Sequence, residues 1–569
     1  MHDRGHRARK PSYWQYLILS LVIVAIYCPT FTGGFISDDN AIVKNNPYVK
    51  ELHSIYSYLS QEDGISEGEP AGEFHTGYYR PLMNLTYWID YKVWGMNAGG
   101  FRTTNVLLHI LATFLLLKLM ARFIEDRWAA FIAVLLFAVH PVNTEAVSWF
   151  SSRDNIIVTI FSLTSLHLYM IGCESGNRRA FILSVLSFFG ALLSKELGLM
   201  ILPIMFLYNR LLTENKRSVR TEVLSYIPFL VVTLIYFLLR YNATEAVLSP
   251  SGMGDMARRI YFAPFILAFN LKLIFLPGGL HSFLVAYPDS FLDWRAIFSI
   301  ALIPAGGVLL WVTRYHRMVH FALLSFVVAL FPVLNIVQTS ASSLVSMRWI
   351  YFPMTFIAMG IAWCLQRVMV SRRRQAVLYA TVVAVYLGSY SYILNAHLWH
   401  NEEVFFTQEI MQFDNHLYAG SMGEQLFKQG KYLQAEEYFR IAMEKYPRTA
   451  RHYINYSAML IELGRMEKAH DLLERSEHLH MVAVERSEWL NNMAIIKTSQ
   501  GRFTEAREYL SEALRIMPDF PGALNNMGVV LMGMGKREEA IQHFQKALYL
   551  RPDYGEAKNN LKKVIEHTD

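Results

Sequence analysis

Cysteine is almost missing from this chain. Only Cys28, Cys173 and Cys364 occur in 569 residues, each in or beside an apolar run and none in a CxxC-type pair. That spacing supports neither a disulfide framework nor a thiolate metal site. Charge is sparse too. Asp, Glu, Lys and Arg make up 18% of the residues and the net charge is +6, with the basic residues gathered in short loops between apolar runs. This distribution fits topology determination in a bilayer and argues against nucleic acid as a partner. A secretory leader is not indicated either: the run "YWQYLILSLVIVAIYCPTF" after "HDRGHRARK" is long enough to span and lacks a small-residue cleavage site.

What the chain has in excess is apolar surface. Hydrophobic residues make up 53% and aromatic residues 14%, with a mean hydropathy of +0.22, more than a soluble core of this length needs. Long apolar segments run from about 13 to about 396, and beyond about 400 the alternating charge of soluble helices takes over. The expectation is an all-α chain, with a polytopic membrane bundle over 1–400 followed by an aqueous domain over 417–566.

The basic flank holds the N-terminus in the cytoplasm, so the first span emerges on the opposite side carrying Asp38 and Asp39. Further spans near 102–121, 128–147, 155–171, 180–194, 197–211 and 223–240 keep Lys118, Arg122, Arg127, Arg178, Arg179 and Arg210 inside. The stretch 260–277, broken by Pro277, Gly278 and Gly279, reads as re-entrant or interfacial, because treating it as a full span would put the "RRR" at 372–374 outside. Spans near 294–313, 318–338, 350–367 and 375–396 bring the total to about eleven, and an odd count places the C-terminal domain on the same face as Asp38.

The C-terminal domain repeats with a period of about 34 residues, the tetratricopeptide value. Gly430, Gly464, Gly501 and Gly535 mark helix-to-helix turns. Ala435, Ala469, Ala506 and Ala540 follow at a close-contact position, and Phe439, Leu473, Leu510 and Phe544 fill a knob position. The matching place in each first helix holds a small residue: Gly423, Ser457, Ala494 and Gly528. About four repeats result, with about three extra residues in "HLHMVAVERSEW". Such repeats stack into a superhelix with a concave binding face, on which the Asn491/Asn492 and Asn525/Asn526 pairs stand either to bond a peptide backbone or as ordinary polar residues of solvated helices.

Repeats alone announce binding, not a reaction. Chemistry has to come from the polar residues at the outward ends of the spans: Asp38 and Asp39 in "GGFISDDNAI"; Arg80 in "YYRPL"; His140, Glu145, Arg153 and Asp154 in "HPVNTEAVSWFSSRDN"; Lys195 and Glu196 in "SKELG"; and Arg348 in "SMRWIYFP". Ionisable groups near membrane depth are costly and usually functional. Acids and cations on one face suggest a general base beside an anionic, phosphorylated group. Two adjacent carboxylates repel, and such a pair serves either to bind a cation or to tune one of its members as a base. Taken singly, Arg153–Asp154 and Lys195–Glu196 also read as interfacial charge pairs, and His140 as a helix-end hydrogen bonder.

The stretches "GGFISDDNAIVKNNPYV", "YYRPLMNLTYWIDYKVWGMNAGGFRTTNVLLHI", "HPVNTEAVSWFSSRDN", "LLSKELGLMILPI" and "RWIYFPMTF", followed by the repeats, resemble the TMTC-type O-mannosyltransferases and their bacterial relatives within the GT-C glycosyltransferase class. The resemblance implies inverting transfer of one sugar from a polyprenyl-phosphate donor to an acceptor hydroxyl at the extracytoplasmic surface. Carried over by motif position, Asp38 is the general base, and Asp39 orients it or takes that role. Arg80, Arg153, Lys195 and Arg348 bind the phosphate or lock the site, whereas Glu145, Asp154 and Glu196 order these cations or contact sugar hydroxyls. The chain departs from the family's E-R-Y-L-Y-L-P pattern in having Met347 and Trp349 beside Arg348, which leaves the choice of mannose open. No cofactor is required, although a divalent cation on Asp38 and Asp39 is conceivable. The implied partners are the lipid-linked donor, membrane lipid and a protein acceptor on the repeats.

A transporter would carry its ionisable residues at mid-span, and a repeat scaffold anchored in the membrane would need no paired acid. The expected location is a bacterial inner membrane with periplasmic repeats. In a eukaryote it would be the endoplasmic reticulum, where "NLT" at Asn84, "NAT" at Asn242 and "NYS" at Asn455 would be glycosylation acceptors.

Overall fold

The computed structural model describes residues 11–44, 46–50, 79–213, 218–244, 256–280, 292–336, 344–413 and 418–566. Every described element is helical, with no β-strand among the described residues. The chain divides into two units, a membrane unit ending at Phe405 and a repeat unit from Phe406 onward.

In the membrane unit the usual soluble pattern is inverted. Leu230, Leu234 and Leu238 on one helix, and Ile303 and Trp311 on another, are exposed, while Ser162, Ser165, Ser184 and Asn105 are buried. Rows of large apolar side chains facing outward fit lipid as the solvent, and inward polar groups then have to find partners among neighbouring helices. Ser165 and Ser184 do this reciprocally: each hydroxyl donates to the other's backbone carbonyl, at 2.9 and 2.7 Å. These bonds tie helix Asp154–Ser175 to helix Arg178–Ser194.

Seven described helices are long and apolar enough to cross a membrane, or eight if Arg127–Ala138 and Pro141–Ser148, bent by 51°, form one span. The shorter helices Arg178–Ser194 and Ile201–Leu211 occupy two further expected stretches. Helix Tyr351–His397, one of the seven, covers two expected spans and breaks at Arg372, whose backbone is non-helical. The break falls at the arginine cluster, where the sequence predicts a loop. The stretch 260–277 forms a helix, Met256–Phe275, with Pro277, Gly278 and Gly279 beyond its end, and it is not among the described helices long and apolar enough to cross. Ser12 starts the first span by accepting from the Gln15 backbone N–H, and the Gln15 side chain in turn donates to the Arg127 carbonyl at 2.9 Å.

The repeat unit follows the period read from the sequence. Gly430, Gly464, Gly501 and Gly535 have φ of +72 to +78°, a left-handed turn conformation that a Cβ disfavours. Ala435, Ala469, Ala506 and Ala540 are fully buried. The extra residues of "HLHMVAVERSEW" lengthen one helix: Ala483–Ser499 has 17 residues, whereas Ala450–Glu462 and Pro521–Gly533 have 13 each.

The small position and the knob are matched by size. Where the knob is Phe the small residue is Gly, because a Cβ on Gly528 would lie 2.5 Å from Phe544 and one on Gly423 would lie 3.0 Å from Phe439. Where the knob is Leu473 or Leu510, Ser457 or Ala494 fits. Gly528→Ala should therefore destabilise the repeats by about 1–3 kcal/mol through overpacking. Adding Phe544→Leu, which reproduces the Ala494–Leu510 pairing, should restore most of the loss, read as the thermal midpoint of the detergent-solubilised chain. No recovery would place the strain elsewhere.

The asparagine pairs differ from both readings offered above. Asn526 donates to Asn491 at 2.8 Å, Asn560 donates to Asn525 at 3.0 Å, and Asn492 donates to Ser457 Oγ at 3.2 Å. They are struts between successive repeats, with Asn491, Asn492 and Asn525 buried and Asn526 partly so.

Candidate active site

The segment between helices Arg127–Ala138 and Asp154–Ser175 does not cross straight over. It folds into three short helical turns, Pro141–Asn143, Thr144–Ser148 and Phe150–Ser152, from which Trp149 and Ser151 meet the loop that follows the first span and Glu145 meets Ser346 and Arg348. His140 sets the first turn. Its Nδ1 accepts from the Val142 N–H at 3.2 Å, and its Nε2 lies 2.9 Å from the Ile274 carbonyl. Accepting on one nitrogen and donating from the other fixes a neutral imidazole spent on backbone.

The paired acids have separate surroundings. Asp39 is fully buried: its Oδ1 accepts from the Ser151 N–H at 3.0 Å and its Oδ2 from the Ile36 N–H at 3.2 Å. Burial pushes its carboxyl up to about 7, against the pull of Arg102 and the two amides. Arg102 in turn donates to the Ser148, Thr30 and Gly34 carbonyls. Asp39 thus pins the loop, while Asp38 next to it is exposed. Surrounding protein raises the Asp38 carboxyl above its ordinary value and Arg348 pulls it back down.

The loop is strained where it presents Asp38. Ser37 has φ of +50°, unusual for a residue with a Cβ. Glu402 holds it there: its Oε1 accepts from the Ser37 N–H at 2.8 Å and from Asn40 Nδ2 at 3.1 Å. Trp149 supports the same loop by donating from its indole N–H to the Ile36 carbonyl at 3.1 Å. Its ring face carries the Arg348 guanidinium at 4.8 Å.

Arg348 has other anchors. It lies 3.3 Å from Glu145 and 3.3 Å from Ser152 Oγ. Glu145, wholly buried, also accepts from Ser346 Oγ at 2.7 Å and from the Arg348 backbone N–H at 3.0 Å. Next along, Asp154 Oδ2 lies 3.1 Å from Arg80 and 2.9 Å from Lys195, whose Nζ also donates to Asn155 Oδ1 at 2.6 Å. Burial holds the Lys195 ammonium well below its ordinary value, at about 8, although Asp154 favours its charge. Glu196 pairs with Arg240, and Arg80 also acts on Glu196. The fields of Arg348 and Arg80 both reach Asp154, so the run from Asp38 through Arg348, Asp154, Lys195 and Arg80 to Glu196 and Arg240 is one continuous electrostatic system.

Arg153 stands apart from this system. It is fully buried, donating to Asp90 and Asn105 at 2.5 Å each, to the Phe101 carbonyl at 2.9 Å and to Thr86 at 3.1 Å, with Tyr87 under its guanidinium at 4.9 Å. Its place is in the core, not on a phosphate, and His140 is likewise enclosed. Arg240, Arg102, Trp149 and Glu402 went unnoticed in the sequence. For Arg240 a signal existed, since an arginine at the end of the run 223–240 that the sequence reading turns outward opposes the positive-inside bias. Among the described residues no three His, Cys, Asp or Glu side chains are grouped so as to hold a metal ion.

The model of the dolichyl-phosphate-mannose-protein mannosyltransferase family matches residues 77–241, a segment holding Arg80, Glu145, Asp154, Lys195, Glu196 and Arg240. Tetratricopeptide-repeat models match 421–480, 487–517 and 521–554. Protein O-mannosyl-transferase F38B6.6 of Caenorhabditis elegans is 32% identical over 37% of this chain and 30% of its own length. Human Protein O-mannosyl-transferase TMTC1 is 30% identical over 34% of this chain and 23% of its own length. Mouse Protein O-mannosyl-transferase TMTC3 is 23% identical over 89% of this chain and 60% of its own length, so the chain spans less than two thirds of each of these relatives. This multi-pass membrane chain thus joins a segment similar to the mannosyltransferase family to tetratricopeptide repeats, and is similar to the O-mannosyl-transferases named above.

Proposed function

We propose that the chain is an inverting membrane glycosyltransferase that moves one sugar from a polyprenyl-phosphate donor to an acceptor hydroxyl, at the extracytoplasmic face. The observation that carries this reading is the exposed Asp38 beside Arg348, in one electrostatic system with Lys195 and Arg80. The acceptor oxygen attacks the sugar's anomeric carbon, the carbon–oxygen bond to phosphate breaks with its electrons passing to the phosphate, and the acceptor proton moves to Asp38. Arg348, Lys195 and Arg80 stabilise the charge that develops on the departing phosphate, an effect strengthened where water is excluded. Mannose is the sugar favoured by the relatives' names, and a bacterial inner membrane with periplasmic repeats remains the preferred setting.

The direct test supplies purified chain in detergent with a synthetic polyprenyl-phosphate mannose and a hydroxyl-bearing peptide. Formation of glycopeptide with release of polyprenyl phosphate is expected. Absence of transfer and of donor cleavage with every hexose donor tried would leave a repeat scaffold anchored in the membrane.

The repeats, in this reading, gather a protein acceptor and raise its concentration near the membrane unit, which adds affinity without altering the chemical step. Removing residues from about 417 onward should raise KM for a protein acceptor strongly and leave transfer to a short peptide nearly unchanged. Equal losses for both would show that the repeats stabilise the membrane unit instead.

A further inference from the structure

Four cations and three carboxylates share the electrostatic system beyond Asp38: Arg80, Lys195, Arg240 and Arg348 face Glu145, Asp154 and Glu196. With Asp38 ionised the resting set is balanced, and an entering phosphate would add uncompensated negative charge. Anions bind tightly where cations are already assembled, so one carboxylate has to give way.

The geometry singles out which one. Glu145 is fully enclosed and held by Ser346, the Arg348 amide and the Arg348 guanidinium. Asp154 is 2% exposed and clasped by Arg80 and Lys195. Glu196 is 35% exposed, yet its partner Arg240 is only 10% exposed. It can rotate outward through three side-chain torsions without moving backbone, whereas Arg240 keeps a second partner, the Tyr236 hydroxyl at 3.3 Å.

Resting on the transferase reading above, we propose that Glu196 is an internal stand-in for the donor's phosphate, neutralising Arg240 and Arg80 in the empty site and yielding both when a polyprenyl phosphate enters. Before transfer it keeps the cations in place. After transfer it competes with the phosphate of the spent lipid and helps to expel it. Glu196 is therefore a positioning residue that governs release rather than a group that handles the sugar.

The test measures binding of a short-chain polyprenyl phosphate to the full detergent-solubilised chain, together with steady-state kinetics. Glu196→Gln keeps the shape and removes the competitor, and should tighten that binding by about tenfold or more, the worth of one charge-assisted hydrogen bond. The donor's KM and kcat should fall together, because release slows. A merely structural role would lower kcat with KM unchanged or raised. Glu196→Asp withdraws the carboxylate by one methylene and should tighten binding in the same direction by a smaller factor, which supplies the test if the amide variant does not fold. Unchanged or weaker binding in both variants, with the wild-type chain binding normally, overturns the assignment of Glu196 alone. Failure of the wild-type chain to bind polyprenyl phosphate overturns the transferase reading as well.

Discussion

Asp38→Asn is expected to lower kcat by about 10²–10⁴-fold, the usual worth of a general base, and to leave the donor's KM nearly unchanged. The side chain keeps its size, and the loop stays anchored through Asp39, Trp149 and Glu402, so the loss isolates proton acceptance. The pH profile gives a second reading of the same experiment. In the wild-type chain the rate should fall on the acid side as Asp38 takes up its proton, with Asp39, titrating at about 7, contributing to that limb. It should fall again as pH rises through about 8, where Lys195 loses its charge. Asp38→Asn removes the first contribution, and its residual rate should keep the alkaline limb. Activity within a few-fold of wild type would take the base role away from Asp38.

The other large effect concerns folding. Arg153→Met should destabilise the membrane unit by about 3–5 kcal/mol, because it leaves the Asp90 carboxylate buried and unpaired. Combining it with Asp90→Asn removes that orphaned charge and should recover a substantial part of the loss, measured as the thermal midpoint in detergent. If Arg153→Met were as stable as wild type but could not bind polyprenyl phosphate, Arg153 would belong to the donor site after all.

These two arginines show where legibility ends. Arg153 and Arg348 both stand at the ends of apolar runs, and nothing in a single sequence says that one meets Asp90 and Asn105 while the other meets Trp149 and Ser152. Those partners lie 63, 48, 199 and 196 residues away along the chain, and no local pattern encodes such pairings. Periodic features are different. The turn glycines, buried alanines and Phe or Leu knobs of the repeats are recognisable because each recurs at a fixed interval, and the spans because a helix in lipid needs an unbroken apolar run. The division of labour between Asp38 and Asp39 was also hidden, since it depends on the amide presented by Ser151 from another segment. Met347, unusual beside Arg348, is fully buried, and Glu145 is the carboxylate that accompanies that arginine.

Glu402 bears on how such a chain can be rearranged over generations. It belongs to the membrane unit, which runs to Phe405, although the change in composition suggests a boundary near 400. A recombination event that replaced everything after 400 would bring in new repeats and discard the acceptor that keeps Ser37 at positive φ, whereas one placed after 405 would keep it. Repeat arrays can therefore be lengthened, shortened or exchanged freely only downstream of that point. A descendant that lost residue 402 would have to evolve another carboxylate to hold the Ser37 amide, so the first heritable module of this chain is slightly longer than its hydrophobicity suggests.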